Sequence, residues 1–565
     1  MAAAAGARRA LPSPPPGHGR ADGHAARSAT RLSTWLGRAA LFLVVALLVI
    51  YPLAMVAASI LFADTWGARP LALADLGSPR VIKAWSNTLA LAGVVTLLAI
   101  AFALPAALLA DRSRVARLVD LVMAVPFLTP PFLVSLAWTQ VVGRRGYAAR
   151  LGLDGTLLQD ALYSLAGMAV LMAVNYAPLV YFALRAQLAA LPSGLAWAAA
   201  SAGAGRLTRL CLVVLPLLVP ALLAGGFLAF ASAIGEYGTP LVIGQRIGYP
   251  VVATEIARLV SVFPIDLTLA SALGGTLLLV GAGAYLLSRV MLRGDLRATG
   301  RSHYPAPGVL PIWARGAAAA VVAFFALVGV IVPFASLVTT SLLRLISQGP
   351  RFGNLTLQHY GELLTAGTRG FGALTASLTL ALLASVAGLV LGALAARAGR
   401  GVAFLASLPI AIPAITMAVG YIRGWNAPWV AGVPVYGTAT ILLLYYLAQY
   451  LPFVVQYVQA GQAGLSSSFE RAARIHGASA LVTFWRVVVP LLWPHALAGA
   501  ILIFSIAFRE LVGTVLLRPP AVQTSATYIL QQFDQGSIAS GTAMGVVAMA
   551  AALLSTITAR RFAAR

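Results

Sequence analysis

Twelve stretches of the chain are apolar over about twenty residues each, the length at which a helix crosses the hydrocarbon core of a bilayer. They lie near 39–63, 87–110, 118–142, 165–187, 213–235 and 268–292, and again near 316–342, 373–397, 402–424, 438–460, 490–514 and 540–560. Inside lipid a backbone must satisfy its own hydrogen bonds, so runs of this length predict helices. At 565 residues, 60% hydrophobic and 10% charged, the chain also carries more apolar surface than a soluble core buries. The expected fold is an all-α polytopic membrane protein of about 12 transmembrane helices.

Charge sets the expected orientation. Lys and Arg total 39 against 15 Asp and Glu, a net charge of +24. Arginines gather near the N-terminus (Arg8, Arg9, Arg20, Arg27, Arg31, Arg38), after the sixth span (Arg289, Arg293, Arg297, Arg301, Arg315) and at the end (Arg560, Arg561, Arg565). Cytoplasmic segments carry such an excess, so both termini and the middle linker are expected inside. Ten of the fifteen acids, among them Asp64, Asp154 and Glu255, then fall in loops on the other side. Residues 1–38, with Asp22 as their one acid, read as a disordered cytoplasmic tail. A transit peptide shares that composition but fits less well with the spans that follow.

Several chemistries are excluded or unsupported. The basic balance suits anionic lipid rather than nucleic acid. The single cysteine, Cys211, cannot form an internal disulfide, and no Cys/His cluster has metal-ligand spacing. Lysine occurs once, at Lys83, and no Gly-rich loop ends in Gly-Lys-Ser/Thr. No cofactor is therefore expected on this chain, and any ATP with its Mg²⁺ would be used by a separate subunit.

The second half restates the first. Gly203 and Gly477, Pro216 and Pro490, Pro220 and Pro494, Gly225 and Gly499, Phe230 and Phe504, and Glu236 and Glu510 all differ by 274 positions. Pro126-Phe-Leu-Thr-Pro130 matches Pro409-Ile-Ala-Ile-Pro413 at an offset of 283, and the prolines are expected to kink their helices. An even number of spans per copy makes the repeats parallel, with a pseudo-two-fold axis along the membrane normal and a pathway between halves. The expected division is a tail 1–38, a first six-helix domain 39–292, a cytoplasmic linker 293–315 and a second six-helix domain 316–565.

Between the fourth and fifth spans of each half lies a short polar interruption. It reads Trp197-Ala198-Ala199-Ala-Ser-Ala-Gly203 in the first copy and Glu470-Arg471-Ala472-Ala473-Arg-Ile-His-Gly477 in the second. Alanines favour helix, and a glycine suits the left-handed position that ends one. Val-Val-Leu-Pro216 and Val-Val-Val-Pro490 are expected to restart a spanning helix with proline in its first turn, where the missing N–H costs little. A small-residue helix on the cytoplasmic face has the form of a knob for another protein's groove.

This pattern resembles the EAA loop of ABC-importer permeases: Glu-Ala-Ala, three residues, Gly, nine residues, a hydrophobic residue, one residue, Leu-Pro. Ala472, Ala473, Gly477, Val487 and Pro490 match, as do Ala198, Ala199, Gly203, Val213, Leu215 and Pro216. The glutamate does not: its position holds Trp197 in one copy and Arg471 in the other, with Glu470 one residue early. The resemblance implies a type I importer permease of the MetI-like fold in a bacterial inner membrane. It further implies two ATPase subunits docked on the loops as coupling helices, and a periplasmic or lipid-tethered binding protein. Phe508-Arg-Glu-Leu-Val-Gly-Thr-Val-Leu-Leu-Arg-Pro-Pro520, Gln531-Gln-Phe-Asp-Gln-Gly536 and Ala253-Thr-Glu-Ile256 resemble ferric-iron permeases and their thiamine and polyamine relatives. Ferric iron is the expected substrate, with thiamine, polyamine or phosphonate as alternatives.

Glu236 and Glu510 each follow their proline by twenty residues, roughly 30 Å along a helix, which carries them toward the outer mouth. They are candidates for a gate, a cation path or a docking surface. The alternative is a helix-end carboxylate bonding local N–H groups or, for Glu510, pairing with Arg509. The rival class, an ion-coupled secondary transporter with parallel halves, predicts ionisable residues at mid-membrane. Here the acids lie near span ends.

Overall fold

A computed structural model describes residues 19–62, 70–111, 113–143, 146–153, 155–191, 193–293, 310–465 and 468–563. Residues 1–18, most of the expected linker, Asp64 and Asp154 lie outside the described residues. The first half is built on α1 (Gly19–Leu61), α2 (Pro79–Ala110), α3 (Ala116–Leu128), α4 (Pro131–Val142) and α5 (Leu165–Ala190). It continues with α6 (Ser193–Ser201), α7 (Arg206–Ile234), α8 (Val252–Ser261) and α9 (Leu267–Arg293). The second half repeats this order: α10 (Ile312–Ser341), α11 (Arg369–Ala398), α12 (Arg400–Ser407), α13 (Ala414–Trp425) and α14 (Ala439–Gly464). It closes with α15 (Ser468–Ile475), α16 (Leu481–Ala507), α17 (Ser525–Gln535) and α18 (Ile538–Ala563). Helix α1 already starts at Gly19, inside the tail expected to be disordered.

Among the described residues ten helices are long and apolar enough to span a bilayer. The other two expected spans are bent pairs, α3 with α4 at 95° and α12 with α13 at 111°. The prolines cause the bends. Thr129 and Ile412 each precede a proline and are forced into extended backbone (φ −98°, ψ 131° and φ −100°, ψ 121°), which ends the helix. Such a break is tolerated at membrane depth only where protein covers it. In the second half the Gln449 amide donates toward the freed carbonyls of Pro409 and Ile412, at 3.5 and 3.4 Å.

Each bent pair runs antiparallel along the span that follows it, as a single crossing does: Asp120 near the start of α3 pairs with Arg185 toward the end of α5, and Tyr421 of α13 donates to the Leu444 carbonyl near the start of α14. On α13, Tyr421 Oη donates to the Leu48 carbonyl at 3.0 Å, and the Gly424 carbonyl accepts from Tyr51 Oη at 2.6 Å, so α13 runs parallel to α1. Ser336 Oγ donates to the Ala137 carbonyl, and Tyr147 meets Thr340 further along, so α4 runs parallel to α10. Counting each pair as one crossing gives twelve, and puts α6 and α15 on the same face of the membrane. We call this the loop face.

The first helix of each half packs on the other half. Helix α1 lies against α12 and α13, with Gly420 so close that a Cβ there would sit 2.5 Å from the Pro52 carbonyl oxygen. Helix α10 lies against α2 and α4, where Trp138 Nε1 donates to the Val328 carbonyl at 3.0 Å. The apolar cores follow the swap: buried Val45, Leu48 and Val49 join the second half's core, and Phe325, Val328 and Leu337 join the first half's. The closing helices, α9 on α7 and α18 on α16, pack mainly on their own halves but also reach across. Gly274 of α9 faces Thr416 of α13, and Gly545 of α18 faces Leu133 of α4.

Candidate functional site

The two interruptions fold as expected up to their glycines. Helices α6 and α15 end at Gly203 and Gly477, whose φ values are +82° and +79°. In each, the amide after the glycine donates back across the cap, Ala204 to the Ala199 carbonyl and Ala478 to the Ala473 carbonyl, both at 3.0 Å. The glycine's own amide donates to Ala200 and to Arg474, respectively, also at 3.0 Å. These paired bonds satisfy the last carbonyls of the helix and demand a residue that adopts positive φ without strain.

Past the cap the structure follows expectation only in part. The α-helical stretch opens at Leu215 or Val489 with Pro216 or Pro490 in its first turn, as expected, but the span as a whole starts upstream, at Arg206 in the first half and Leu481 in the second. Each proline is preceded by a π-helical turn, Leu210–Val214 or Phe484–Val488. A proline inside a helix lacks its N–H and crowds the carbonyl four residues back; the wider turn absorbs both defects. Gln187 Nε2 donates to the Leu217 carbonyl at 3.4 Å, which sets residue 217 level with the last turn of α5. The eleven residues from Arg206 to that point, at about 1.5 Å each, project roughly 16 Å beyond it. In the first half the glycine-capped segment therefore extends beyond the last turn of α5.

The exposed faces of the two knobs differ in chemistry. On α6, Leu195 and Trp197 are 46% and 47% exposed, beside Ala198 and half-buried Ala199. On α15, Phe469 and Ile475 are 51% and 82% exposed, with Arg471, Ala472 and Arg474 also exposed and Ala473 half-buried. Glu470, partly exposed, accepts at Oε1 from Arg397 Nη2 at 3.3 Å, at the end of α11. The carboxylate that stands one residue early in the second copy thus ties α15 to α11 of its own half. Sequence reasoning did not single out Arg397, because the pairing spans 73 residues and no local spacing signals it.

Glu236 and Glu510 lie just past the ends of α7 and α16 and do equivalent work. Glu236 Oε1 accepts from the amides of Gly238 and Thr239, at 2.8 and 3.2 Å, and Oε2 accepts from Tyr176 Oη. Glu510 accepts from the Gly513 and Thr514 amides, at 2.8 and 2.9 Å, from Thr514 Oγ1, and from Tyr445 Oη at 3.4 Å. Both carboxylates cap the short turn that follows, the second of the two roles left open by the sequence. The alternative partner fails: among the described residues Arg509 forms no ion pair with Glu510, and its Nε is buried without a hydrogen-bond partner. No group of three or more His, Cys, Asp or Glu that could hold a metal ion occurs among the described residues.

The repeat extends into contacts that the sequence alignment does not display. A Cβ on Gly225 would lie 2.7 Å from Val180 Cα, and one on Gly499 would lie 2.7 Å from Val454 Cα. Both pairs are related by the 274-residue offset, so α7 crosses α5 as α16 crosses α14. Helices α8 and α17 share a threonine cap, Thr254 on the Val251 amide and Thr527 on the Thr524 amide, at 3.1 and 3.0 Å. Their first amides dock alike, Val252 on Thr88 Oγ1 and Ser525 on Ser377 Oγ.

Two registered, glycine-capped helices thus lie on one face of a twelve-span bundle. Residues 99–352 and 381–565 match the family described as binding-protein-dependent transport system inner membrane component. The chain belongs to this family, the permeases of ABC importers, and is a multi-pass inner-membrane protein. It is 26% identical over 539 residues, 90% of this chain and 76% of the relative, to the ferric transport system permease protein FbpB of Actinobacillus pleuropneumoniae. It is 30% identical over 265 residues, 45% of this chain and 98% of the relative, to a putative 2-aminoethylphosphonate transport system permease protein PhnV of Salmonella choleraesuis. The sulfate transport system permease protein CysT of Escherichia coli is 29% identical over 250 residues, 43% of this chain and 86% of the relative. Family membership implies an ATPase and a substrate-binding protein as partners.

Proposed function

We propose that this chain supplies both membrane halves of a binding-protein-dependent importer, with two six-helix units, 39–292 and 316–565, and two ATPase subunits docked on α6 and α15. The observation that carries this reading is the pair of glycine-capped helices lying on one face at the same place in each repeat. ATP-driven closure of the ATPases draws the two knobs together and opens the pathway between the halves toward the opposite face; release of ADP and phosphate reverses it. The shift is supplied by the higher affinity of ATP and loaded binding protein for that outward state. The loop face is cytoplasmic in this reading, and both termini lie there with it.

The test is uptake in vesicles containing the assembled complex. Gly203→Val and Gly477→Val, which place a β-branched residue at positive φ, are each expected to lower ATP-driven uptake at least about tenfold while the chain still inserts. Gly203→Asn and Gly477→Asn, which tolerate that backbone, retain most of it. Full uptake in both valine variants refutes the coupling role.

Ferric iron is the substrate we favour, supported by similarity to ferric permeases across 90% of the chain. A phosphonate is the second reading, favoured by the higher identity to a 2-aminoethylphosphonate permease over 45% of the chain. Uptake of radiolabelled Fe³⁺ against radiolabelled 2-aminoethylphosphonate, each with the binding protein encoded beside the permease, separates them. Glu236 and Glu510 border the pathway in this reading as fixed negative ends of α7 and α16.

A further inference from the structure

The two halves differ sharply beside α3 and α12. In the first half Asp120 of α3 accepts from Tyr181 Oη at 2.5 Å and pairs with Arg185 Nε at 3.4 Å, both on α5. At the corresponding offsets of 283 and 274 the second half has Ala403, Val455 and Gln459. Acid, phenol and guanidinium are lost together. The corner opens instead as a cavity of about 620 Å³ lined by Ala403 and Gln459, between the α11–α12 junction, the end of α14 and coupling helix α15.

Arg397, Arg400, Arg471 and Arg474 line this cavity, and Glu470 is the one acid among its lining residues. That carboxylate is already engaged by Arg397. A concave site with such an excess of positive charge stabilises an anion, and guanidinium forks match phosphate oxygens in geometry as well as charge. Arg397 and Arg400 also sit where one span ends and the next begins on the loop face, the depth at which lipid headgroups lie.

We propose that this cavity binds a phosphate-bearing anion, either the headgroup of an anionic lipid or free phosphate, directly against the second coupling helix. At the first coupling helix the matching corner carries Asp120, Tyr181 and Arg185, so an acid that repels an anion stands where Ala403 stands here. Occupancy bridges α15 to the ends of α11 and α14, and so makes the second knob the stiffer of the two.

The experiment is native mass spectrometry and titration calorimetry of the purified full chain with three probes: dihexanoyl phosphatidylglycerol, inorganic phosphate and phosphate-free dihexanoyl glycerol. Wild type is expected to bind phosphatidylglycerol and not the phosphate-free lipid. Binding of inorganic phosphate as well means that the phosphate group suffices; its absence assigns the site to lipid. Ala403→Asp combined with Gln459→Arg, which rebuilds the first half's ion pair inside the cavity, should weaken binding at least about tenfold. Arg400→Gln combined with Arg471→Gln should do the same without adding bulk. Arg114→Gln with Arg117→Gln, at the matching place in the first half, should leave binding unchanged. Unaltered elution and melting temperature establish that each variant is folded. No binding of either phosphate probe to wild type, or undiminished binding in both cavity variants, overturns the proposal. So does complete displacement of the probe when the ATPase assembles, which would assign the arginines to that protein's acidic side chains.

Discussion

Gly225 and Gly499 carry matching close approaches between neighbouring spans, with a hypothetical Cβ 2.7 Å from a backbone atom of α5 or α14. Without a hydrophobic driving force between helices in lipid, association depends on such close packing at small residues. Alanine at either position forces the helices apart, an overpacking that typically costs about 1–3 kcal/mol. We expect Gly225→Ala and Gly499→Ala to lower the melting temperature of the detergent-solubilised chain by similar amounts, because the two environments match. A large drop for one and none for the other would contradict the equivalence. The sequence marked both glycines through their common offset. It gave no sign of Val180 and Val454 as their partners, because a contact across helices leaves no periodicity within either.

At the scale of an element, the proline-centred breaks and the glutamate caps show where local rules held and where context overrode them. Proline pairs were expected to kink helices; bends of 95° and 111° are sharper than a kink, because extended Thr129 and Ile412 end the helix outright. For Pro216 and Pro490 the local rule held for the α-helical stretch but missed the turns before it. Tertiary packing continues the helix upstream of each proline, and a π-turn accommodates the ring. Glu510 accepts four hydrogen bonds and Glu236 three. Removing such a cap costs about 0.5–2 kcal/mol. Glu510→Ala and Glu236→Ala should therefore each lower thermal stability, and Gln, which keeps one accepting oxygen, should restore part of it. Melting curves that are unchanged in the alanine variants would show that the caps contribute nothing.

At the scale of the whole molecule, exchange of α1 and α10 locks the halves together more firmly than a shared surface alone. A protein expressed as two chains, 1–293 and 310–565, should assemble and co-purify, since each fragment supplies a helix to the other's core. Deleting α1 should destabilise the second half in particular, exposing buried Tyr421 and Gly424 to protease or labelling reagents. Independent folding of 310–565 without α1, with unchanged melting, would refute the exchange.

Twelve apolar runs and a constant offset of 274 residues were enough, from sequence, to establish an all-α membrane bundle, its internal repeat and the position of the two glycine-capped loop-face helices. Those properties are local or periodic: span length is set by bilayer thickness, and a left-handed cap needs glycine at one defined place. Tertiary structure alone decided that Glu470 pairs with Arg397 of its own half, that the first helices are exchanged, and that a cavity opens between α11, α12, α14 and α15 where the first half has an acid, a phenol and a guanidinium. Each of these joins side chains far apart along the chain. Whether two such groups meet is set by how whole helices cross, a property that no single stretch of sequence contains.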